Sequence, residues 1–225
     1  MESTSGNISN GKTEEGVYRE EFEAGAYESV KRVLDIMISL FGLVLLSPLF
    51  LILIVVTKLD SKGPVFFAHK RIGYKGKTIG VYKFRSMVHN ADEVFKSFTA
   101  EQKEEFQKNF KLDDDPRITK IGEFLRKTSL DELPQLINVL KGDMSIVGPR
   151  PIVQQEVEKY GEYAEKLVSV VPGLTGYWQA NGRSDTTYDE RVQMDMYYID
   201  NISFGLDIKI IFKTFISVLR KEGAI

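Results

Sequence analysis

An almost continuous apolar run over residues 33–56 constrains this 225-residue chain more than any other feature. Its length matches the roughly 20 residues that a helix needs to cross the hydrocarbon core of a bilayer, so we expect a membrane element. Ser47 and Pro48 interrupt the run near its middle, where proline breaks or kinks a helix. The run therefore predicts two helices joined by a break.

Cationic residues flank the apolar run on both sides: Lys31, Arg32, Lys58, Lys62, Lys70, Arg71 and Lys75. The positive-inside rule places both flanks on the cytoplasmic face, which a re-entrant helix-break-helix satisfies. Proline-kinked spanning helices also exist, so the residues alone leave both topologies open.

Composition excludes several classes of protein. The net charge of -2 gives no global basic field, so we predict no nucleic-acid partner. With no cysteine and two histidines, the chain has no disulfide framework, no thiolate nucleophile and no cysteine or histidine metal cluster. Residues 1–29 are polar and rich in Ser, Gly, Asn and Glu, which predicts a flexible tail without a cleavable signal.

Two short β-rich runs, VFFAHKRIG and TIGVYKFRSM, lie between residues 63 and 87 and are separated by YKGK. Their spacing and turn residues predict a β-hairpin. In the second run Lys83 and Arg85 alternate with Tyr82 and Phe84, so one face of the strand is basic. That face is either solvated or in contact with phosphate.

Four further segments have apolar residues at helical spacing: 91–110, 153–171, 189–200 and 206–220. The last is too charged to cross a membrane, but its cations suit a helix lying in the interface, with a core helix as the alternative. Together with the hairpin, these helices predict a helix-rich α/β fold of the α+β type, with amphipathic helices at the membrane surface.

Two adjacent carboxylates, Asp131 and Glu132, lie between a basic amphipathic segment and an apolar helical run. Pro134 predicts that a helix begins close to it, which puts both acids at the positive, N-terminal end of that helix. Carboxylates stay ionised in such a position, and phosphate binds there. Ser129 and Glu132 also fit a capping box, so capping alone is the alternative.

Several basic side chains are candidates for phosphate or nucleotide binding near these acids: Arg126, Arg150, Lys83, Arg85, Arg117 and Arg183. Arg126 precedes the acids and Arg150 follows a turn, and their fork-shaped guanidinium groups suit phosphate. Acids beside arginines indicate that phosphate, a divalent cation and a carboxylate act together.

Three weaker candidates lie elsewhere in the sequence. Residues 113–115 are three acids that could hold a cation or form a solvated loop. Trp178 lies in a glycine-rich loop with Arg183, where an aromatic ring stacks on a base or packs in the core. Asp195 is a further site candidate on a predicted helix.

Seven motifs, taken together, resemble a known family. In order they are KRVLDIMIS, SP at residues 47–48, GPVFF, YKFRSM, DPRITKIGEFLRKTSLDELPQLINVLKGDMSIVGPRP, PGLTGYWQANGR and YYIDNISFGLDIKIIFKT. This combination, over about residues 30–225, is similar to the monotopic polyprenol-phosphate phosphoglycosyl transferases, the bacterial sugar transferases. The resemblance implies transfer of a sugar 1-phosphate from a nucleotide sugar, in particular a UDP sugar, to undecaprenyl phosphate at the start of exopolysaccharide assembly.

The same resemblance implies roles for particular residues. Asp131 is the expected nucleophile of a covalent phosphosugar intermediate, with Glu132 beside it and both as ligands of Mg²⁺. Residues 30–60 are expected to form a re-entrant membrane helix broken at Ser47 and Pro48, with residues 61–225 as a catalytic domain. That domain is expected on the cytoplasmic face of the bacterial plasma membrane, in contact with membrane lipid.

Two other classes stay open. A non-catalytic membrane scaffold would use the acids as caps and the basic residues to bind anionic lipid, without metal dependence. A membrane phosphodiesterase would send the same intermediate to water. The sequence does not fix the oligomeric state, and a homodimer is among the open arrangements.

Overall fold

In the computed structural model, which describes residues 14–109, 112, 114–182 and 186–220, the apolar run lies in two helices. Helix α1 (Glu14–Leu45) and helix α2 (Ser47–Asp60) meet at Leu46, and Pro48 lies in the first turn of α2, where its missing N–H costs no hydrogen bond. The predicted break is confirmed. No single described helix is long and apolar enough to cross a membrane, whereas Gly25–Leu45 and Ser47–Asp60, bent by 64°, could do so together by length and composition.

Helix α1 begins at Glu14, within the segment 1–29 that was predicted as a tail. Two side chains of this segment and its edge are anchored on the folded body: the Tyr27 hydroxyl and the Lys31 ammonium donate to Asp207 Oδ2 at 2.7 and 2.6 Å. The helix was not predicted because polar side chains anchor it, and a search for apolar residues at helical spacing does not detect polar contacts. Residues 1–13 of the predicted tail lie outside the described residues.

The predicted hairpin is confirmed as strands β1 (Phe66–Ile72) and β2 (Thr78–Phe84), joined by a 3₁₀ turn at Tyr74–Gly76. The strands pair antiparallel, with Phe66 opposite Phe84 and Phe67 opposite Lys83. Side chains alternate across a strand, so these two cross-strand pairs lie on opposite faces of the hairpin.

The remaining chain is mostly helical, in agreement with the predicted helix-rich fold. Its elements are α3 (Ala91–Lys96), α4 (Ala100–Asn109), α5 (Lys120–Lys127), α6 (Gln135–Lys141), β3 (Ser145–Val147), α7 (Val157–Tyr160), α8 (Ala164–Val168), β4 (Gly173–Thr175), α9 (Tyr177–Asn181), α10 (Tyr188–Asp200) and α11 (Phe204–Leu219). Strands β3 and β4 form a parallel pair that the sequence did not predict.

Two of the predicted helices are interrupted. The segment 91–110 divides into α3 and α4 because Thr99 begins a new helix, its hydroxyl accepting from Gln102 N at 3.2 Å. The segment 153–171 divides around Gly161, whose φ of 50° does not belong to a right-handed helix.

The apolar core holds α1 and α2 against the rest of the molecule. One cluster joins Leu53 of α2, Phe84 of β2 and Leu125 of α5. Helix α1 docks on α6 through Arg32, which donates to the carbonyls of Val139 and Leu140 at 2.5 and 2.7 Å. Both helices of the apolar pair are therefore attached to one folded body.

Large apolar side chains are left exposed on α11: Phe204, Ile208, Ile211, Phe212, Phe215 and Ile216. The helix predicted over residues 206–220 is confirmed. Its interfacial position stays a prediction, since an exposed apolar face beside cations is what such a helix presents to a membrane surface.

Candidate active site

The two adjacent acids lie in a 3₁₀ turn, Leu130–Glu132, between α5 and α6. Ser129 precedes the turn with a left-handed φ of 56° and makes no side-chain cap hydrogen bond, so the capping-box alternative is wrong. A non-glycine residue held in this region is strained, and such strain concentrates at functional sites. We call Asp131 and Glu132 the carboxylate pair.

Helix α6 brings the carboxylate pair to the hairpin. Asn138 is fully buried, and its amide donates to Gly80 O at 2.7 Å while its carbonyl oxygen accepts from Tyr82 N at 2.9 Å. This one side chain ties α6 to the free edge of β2. The next residue along β2, Lys83, consequently reaches the turn at the start of α6.

Lys83 contacts both members of the carboxylate pair. Its ammonium donates to Glu132 Oε1 at 2.6 Å and lies 3.7 Å from Asp131 Oδ2. Arg150, which follows β3, brings its guanidinium to 3.5 Å from Glu132 Oε1. The structure therefore unites four residues predicted from the sequence.

Arg126 completes the positive surroundings of Asp131. Its charge acts on Asp131 in the same direction as that of Lys83, and its Nε donates to Ser86 Oγ at 3.0 Å. Helix α5 approaches Ser86 closely because position 122 is glycine; a Cβ there would lie 2.0 Å from Ser86 O. Gly122 thus allows Arg126 to reach the site.

The two carboxyl groups are tuned in opposite directions. Burial, which leaves Asp131 only 5% exposed, raises its pKa above the ordinary value against the charge of Lys83, and the charge of Glu132 adds to the rise. Burial opposes ionisation of Glu132 as well, but Lys83 and Arg150 outweigh it and lower the pKa of Glu132 to about 2. Asp131 therefore holds a proton more readily than Glu132 does, and the charged form of Glu132 is favoured.

Arg85, a predicted phosphate contact, is engaged elsewhere. Its guanidinium donates to the carbonyls of Thr57 and Ser61 at 2.9 and 2.6 Å, and also to the carbonyl of Pro64. These contacts fasten the start of β1 to the end of α2. Among the described residues, no contact draws Arg85 to the carboxylate pair.

Arg117 is likewise held by its own surroundings. It forms a two-pronged ion pair with Asp115, with Nη2 2.6 Å from Oδ2 and Nε 2.8 Å from Oδ1. Phe95, Phe98 and Phe106 surround the guanidinium at 5.1 to 5.2 Å. This cage fastens α3 and α4 to the segment before α5, and Asp115 is occupied by Arg117.

Arg183 and Asp113 lie outside the described residues. Asp114 is exposed, and the loop containing Trp178 forms α9. Trp178 stacks with the Arg191 guanidinium, whose carbon lies 4.7 Å from the ring centre.

A pocket next to the carboxylate pair was not predicted. It is an open depression with a volume of about 50 Å³, and its lining consists of Arg150, Ile152, Glu156, Tyr160, Trp178, Tyr188 and Arg191. Arg150 links this pocket to Glu132. One sequence pattern could have pointed to this pocket: Arg71 shares a face of β1 with Phe67 and His69. In the structure Arg71 pairs with Glu156 of the pocket at 3.3 Å.

Asp195 lies behind this pocket and is fully buried. Its Oδ2 accepts from the Tyr160 hydroxyl at 2.8 Å, while Oδ1 has no hydrogen-bond partner in the described part of the chain. Burial raises the pKa of Asp195 to about 7. Asp195 therefore supports Tyr160, a pocket residue, and does not itself reach the carboxylate pair through any contact seen here.

The donor set fits magnesium in one particular way. Across the described ranges, no group of three or more His, Asp or Glu side chains is placed to hold a metal ion alone. Magnesium, however, is commonly bound through one or two carboxylates together with substrate phosphates. Asp131 and Glu132 suit an ion that is shared with a bound diphosphate.

Comparison with known proteins adds independent findings. The chain matches the family described as Bacterial sugar transferase over residues 26–221. It is 50% identical over 198 residues to the undecaprenyl-phosphate galactose phosphotransferase of Salmonella typhimurium, an alignment that covers 87% of this chain and 41% of that protein.

Two further relatives differ in length. The chain is 44% identical over 209 residues to the exopolysaccharide production protein ExoY of Sinorhizobium fredii, covering 90% of this chain and 92% of that protein. It is 43% identical over 200 residues to the UDP-glucose:undecaprenyl-phosphate glucose-1-phosphate transferase of Escherichia coli, covering 85% and 40%. The chain thus spans about two fifths of the Salmonella and Escherichia coli proteins and nearly all of the Sinorhizobium protein.

Proposed function

This chain belongs to the bacterial sugar transferase family, and we propose that it transfers a sugar 1-phosphate from a nucleotide diphosphate sugar to a polyprenyl phosphate. The names of its relatives favour a UDP sugar as donor and undecaprenyl phosphate as acceptor, in the synthesis of a surface polysaccharide. The observation that carries the proposal is the carboxylate pair, which Lys83 and Arg150 contact directly.

The chemistry follows from the unequal carboxyl groups. An oxygen of Asp131 attacks the phosphorus nearer the sugar, the bond from that phosphorus to the bridging oxygen breaks, and a nucleoside monophosphate leaves. A phosphate oxygen of the acceptor then attacks the same phosphorus, and Asp131 departs as a carboxylate. Each step forms one phosphorus–oxygen bond and breaks one.

The cations stabilise the charge that develops during both steps. Lys83 and Arg150 lie where they can neutralise phosphate oxygens, and such contacts strengthen in a site that excludes water. Bound Mg²⁺ would supply further neutralisation of the diphosphate. Glu132 holds Lys83 and Arg150 in place and, with Asp131, supplies oxygens for that ion.

We propose a re-entrant topology for α1 and α2 at the cytoplasmic face of the plasma membrane. Helix α2 has 14 residues, about 21 Å of helix, which is short of the roughly 30 Å hydrocarbon core. Both outer ends of the pair are also tied to one folded body, by Lys31 to Asp207 and by Arg85 to Thr57 and Ser61. A span would separate those ends across the bilayer.

Topology is testable because the chain contains no cysteine. Single-cysteine variants at two exposed positions, Glu28→Cys and Lys62→Cys, should both react with an impermeant maleimide only from the cytoplasmic side. Reaction from opposite sides would contradict re-entrance. Pro48→Leu should shift the pair toward a spanning form, because the break is no longer enforced.

The covalent step is tested by supplying donor without acceptor. Rapidly quenched enzyme should carry the added phosphosugar on the peptide that contains Asp131, with about one nucleotide released per active site. Release that requires both substrates would contradict the covalent route and favour direct transfer.

Product analysis then separates the alternative functions. A complete reaction with polyprenyl phosphate should give a lipid diphosphosugar, whereas a phosphodiesterase would give free sugar phosphate and a scaffold would give neither. Chelation of divalent metal should abolish turnover and added Mg²⁺ should restore it. Full activity in chelator would remove the metal from the proposal.

A further inference from the structure

The hairpin presents one surface to helix α2 and a different surface to the carboxylate pair. On one face, the Phe84 ring lies 5.1 Å from Phe66 and 5.5 Å from Phe50 of α2. This face packs on the apolar helix pair. The other face carries Lys83, which reaches Asp131 and Glu132.

Phe67 lies on the same face as Lys83. The two residues are cross-strand partners, so their Cβ atoms are about 5 Å apart. Phe67 is 54% exposed although it is a large aromatic residue, and its ring centre lies 5.8 Å from that of His69. An uncovered phenyl group therefore lies beside the ammonium that contacts the carboxylate pair.

The start of β1 is held close to the membrane helices. Five residues, 61–65, separate the end of α2 from β1, and Arg85 binds the carbonyls of Thr57, Ser61 and Pro64 across this connection. With both outer ends of the helix pair at one membrane surface, Phe67 lies near that surface. Lys83, the cross-strand partner of Phe67, then connects the membrane surface to the carboxylate pair.

This juxtaposition matches the chemistry of one kind of substrate. A polyprenyl phosphate joins a phosphate directly to an isoprenoid chain, so its recognition requires a cation and an apolar surface within one side-chain length of each other. Lys83 and Phe67 provide that pair. Farther along the same strand face the side chains become polar, with His69 and then Arg71, whose guanidinium contacts Glu156 of the pocket.

We propose that Phe67 binds the isoprene unit adjacent to the acceptor phosphate and so directs that phosphate to Lys83 and the phosphosugar on Asp131. The proposal rests on the proposed function and adds the residue that recognises the acceptor. Phe67 contacts only the acceptor, whereas Lys83 and Arg150 act in both steps.

The test separates the two half-reactions in Phe67→Ser. Nucleotide release from donor alone should stay at the wild-type burst size and rate, because the acceptor is absent. The KM for polyprenyl phosphate in detergent micelles should rise about tenfold or more, the expected loss for a buried phenyl contact. Phe67→Leu, which keeps an apolar side chain, should recover most of the loss.

Phe124 supplies a matched control, since it is 53% exposed on α5 and has no contact with Lys83 among those described. Phe124→Ser should leave the acceptor KM unchanged. Vesicle sedimentation of both serine variants should show equal membrane association, as expected if Phe67 binds substrate and does not anchor the protein.

Three results would overturn the inference: an unchanged acceptor KM in Phe67→Ser, an equal loss in the donor half-reaction, or a loss of vesicle binding that parallels the loss of turnover. A wild-type enzyme that releases no nucleotide from donor alone would count against the covalent route instead. The KM comparison between Phe67→Ser and Phe124→Ser would still decide the role of Phe67.

Discussion

Two groups of charged side chains in this molecule, one where α1 docks and one at the carboxylate pair, are satisfied differently. Where α1 docks on the body, Lys31 meets Asp207 at 2.6 Å, Arg32 meets two carbonyls, and Asp35 accepts from Ile146 N at 2.9 Å. Each charge there has a close partner within the chain. Around the carboxylate pair, Lys83 contacts Glu132 equally closely, but the contacts of Lys83 with Asp131 and of Arg150 with Glu132 are longer, at 3.7 and 3.5 Å, and the cations outnumber the acids.

The excess at the second region is informative. Lys83, Arg126 and Arg150 surround two carboxylates, and Arg150 stays 32% exposed on the wall of an open pocket. A charged side chain with few partners inside the protein can form further ion pairs or hydrogen bonds with a substrate. This difference supports the proposal that the carboxylate pair serves binding and reaction, whereas the docking region serves stability.

Asp131→Asn should separate the two regions most sharply. The amide keeps the shape of the carboxylate but cannot attack phosphorus, so kcat should fall by about 10⁴ or more. The melting temperature should stay the same or rise slightly, because a desolvated charge is removed. Radiolabelled sugar transfer and thermal unfolding measure the two quantities; retained turnover would rule out Asp131 as the nucleophile.

Arg150→Ala should lower turnover by about 10- to 100-fold, the loss expected for one charge-assisted hydrogen bond. Arg150→Lys should recover only part of it, since an ammonium lacks the planar fork. Steady-state kinetics at saturating donor measures the effect, and circular dichroism checks the fold. An Arg150→Ala variant with wild-type kinetics would place this guanidinium outside the reaction.

The dependence of activity on pH should reflect the raised pKa of Asp131. The reactive form is the carboxylate, so kcat/KM for the donor, which reports the free enzyme, should rise with pH through a value above the ordinary aspartate range of about 3.9. Glu132 stays ionised throughout and adds no second step in that window. An acid limb at an ordinary carboxyl pKa would contradict the assignment.

Arg32→Ala should show the opposite pattern from Arg150→Ala. It removes both hydrogen bonds to the end of α6 and should lower the free energy of unfolding by about 2 kcal/mol. Activity per folded molecule should change by less than about twofold. Denaturant unfolding in detergent, with activity normalised to folded protein, makes the comparison. A loss of activity without a loss of stability would contradict the distinction between the two regions.

Asp195 should give the smallest effect on activity, and an effect on stability that depends on pH. Its pKa is raised to about 7 in the folded state, so the folded protein holds the proton longer than the unfolded chain does, and stability should fall as pH rises from about 4 to 7. Asp195→Asn keeps an acceptor for Tyr160 and should remove that pH dependence, which is at most about 1.4 kcal/mol per pH unit. Melting curves from pH 5 to 8 test it, and identical slopes for both proteins would contradict the shift.

The sequence predicted those features that depend on neighbouring residues. Pro48 indicated the helix break, Pro134 indicated that the acids lie at the start of α6, and the spacing of two β-rich runs around turn residues indicated the hairpin, because each is a local effect of backbone geometry. Lys83 and Arg150 were also assigned to the site, and the structure brings them to it.

Other features depend on partners that are distant in sequence. Arg85 and Arg117 have the same chemistry as Arg150. Only the folded chain shows that three carbonyls hold Arg85 and that three phenylalanine rings from the preceding helical segment surround Arg117. The tie between Asn138 and the edge of β2 spans more than fifty residues. No local pattern contains that information.

Helix α6 has a consequence for how far the carboxylate pair lies from α1. Its C-terminal carbonyls are held by Arg32 of α1, while the carboxylate pair precedes its first turn, so its seven residues set a rise of about 10 Å between the two. The helix acts as a spacer of fixed length between the carboxylate pair and the apolar helix pair. One inserted residue would add about 1.5 Å and turn the acids through about 100°, away from Lys83.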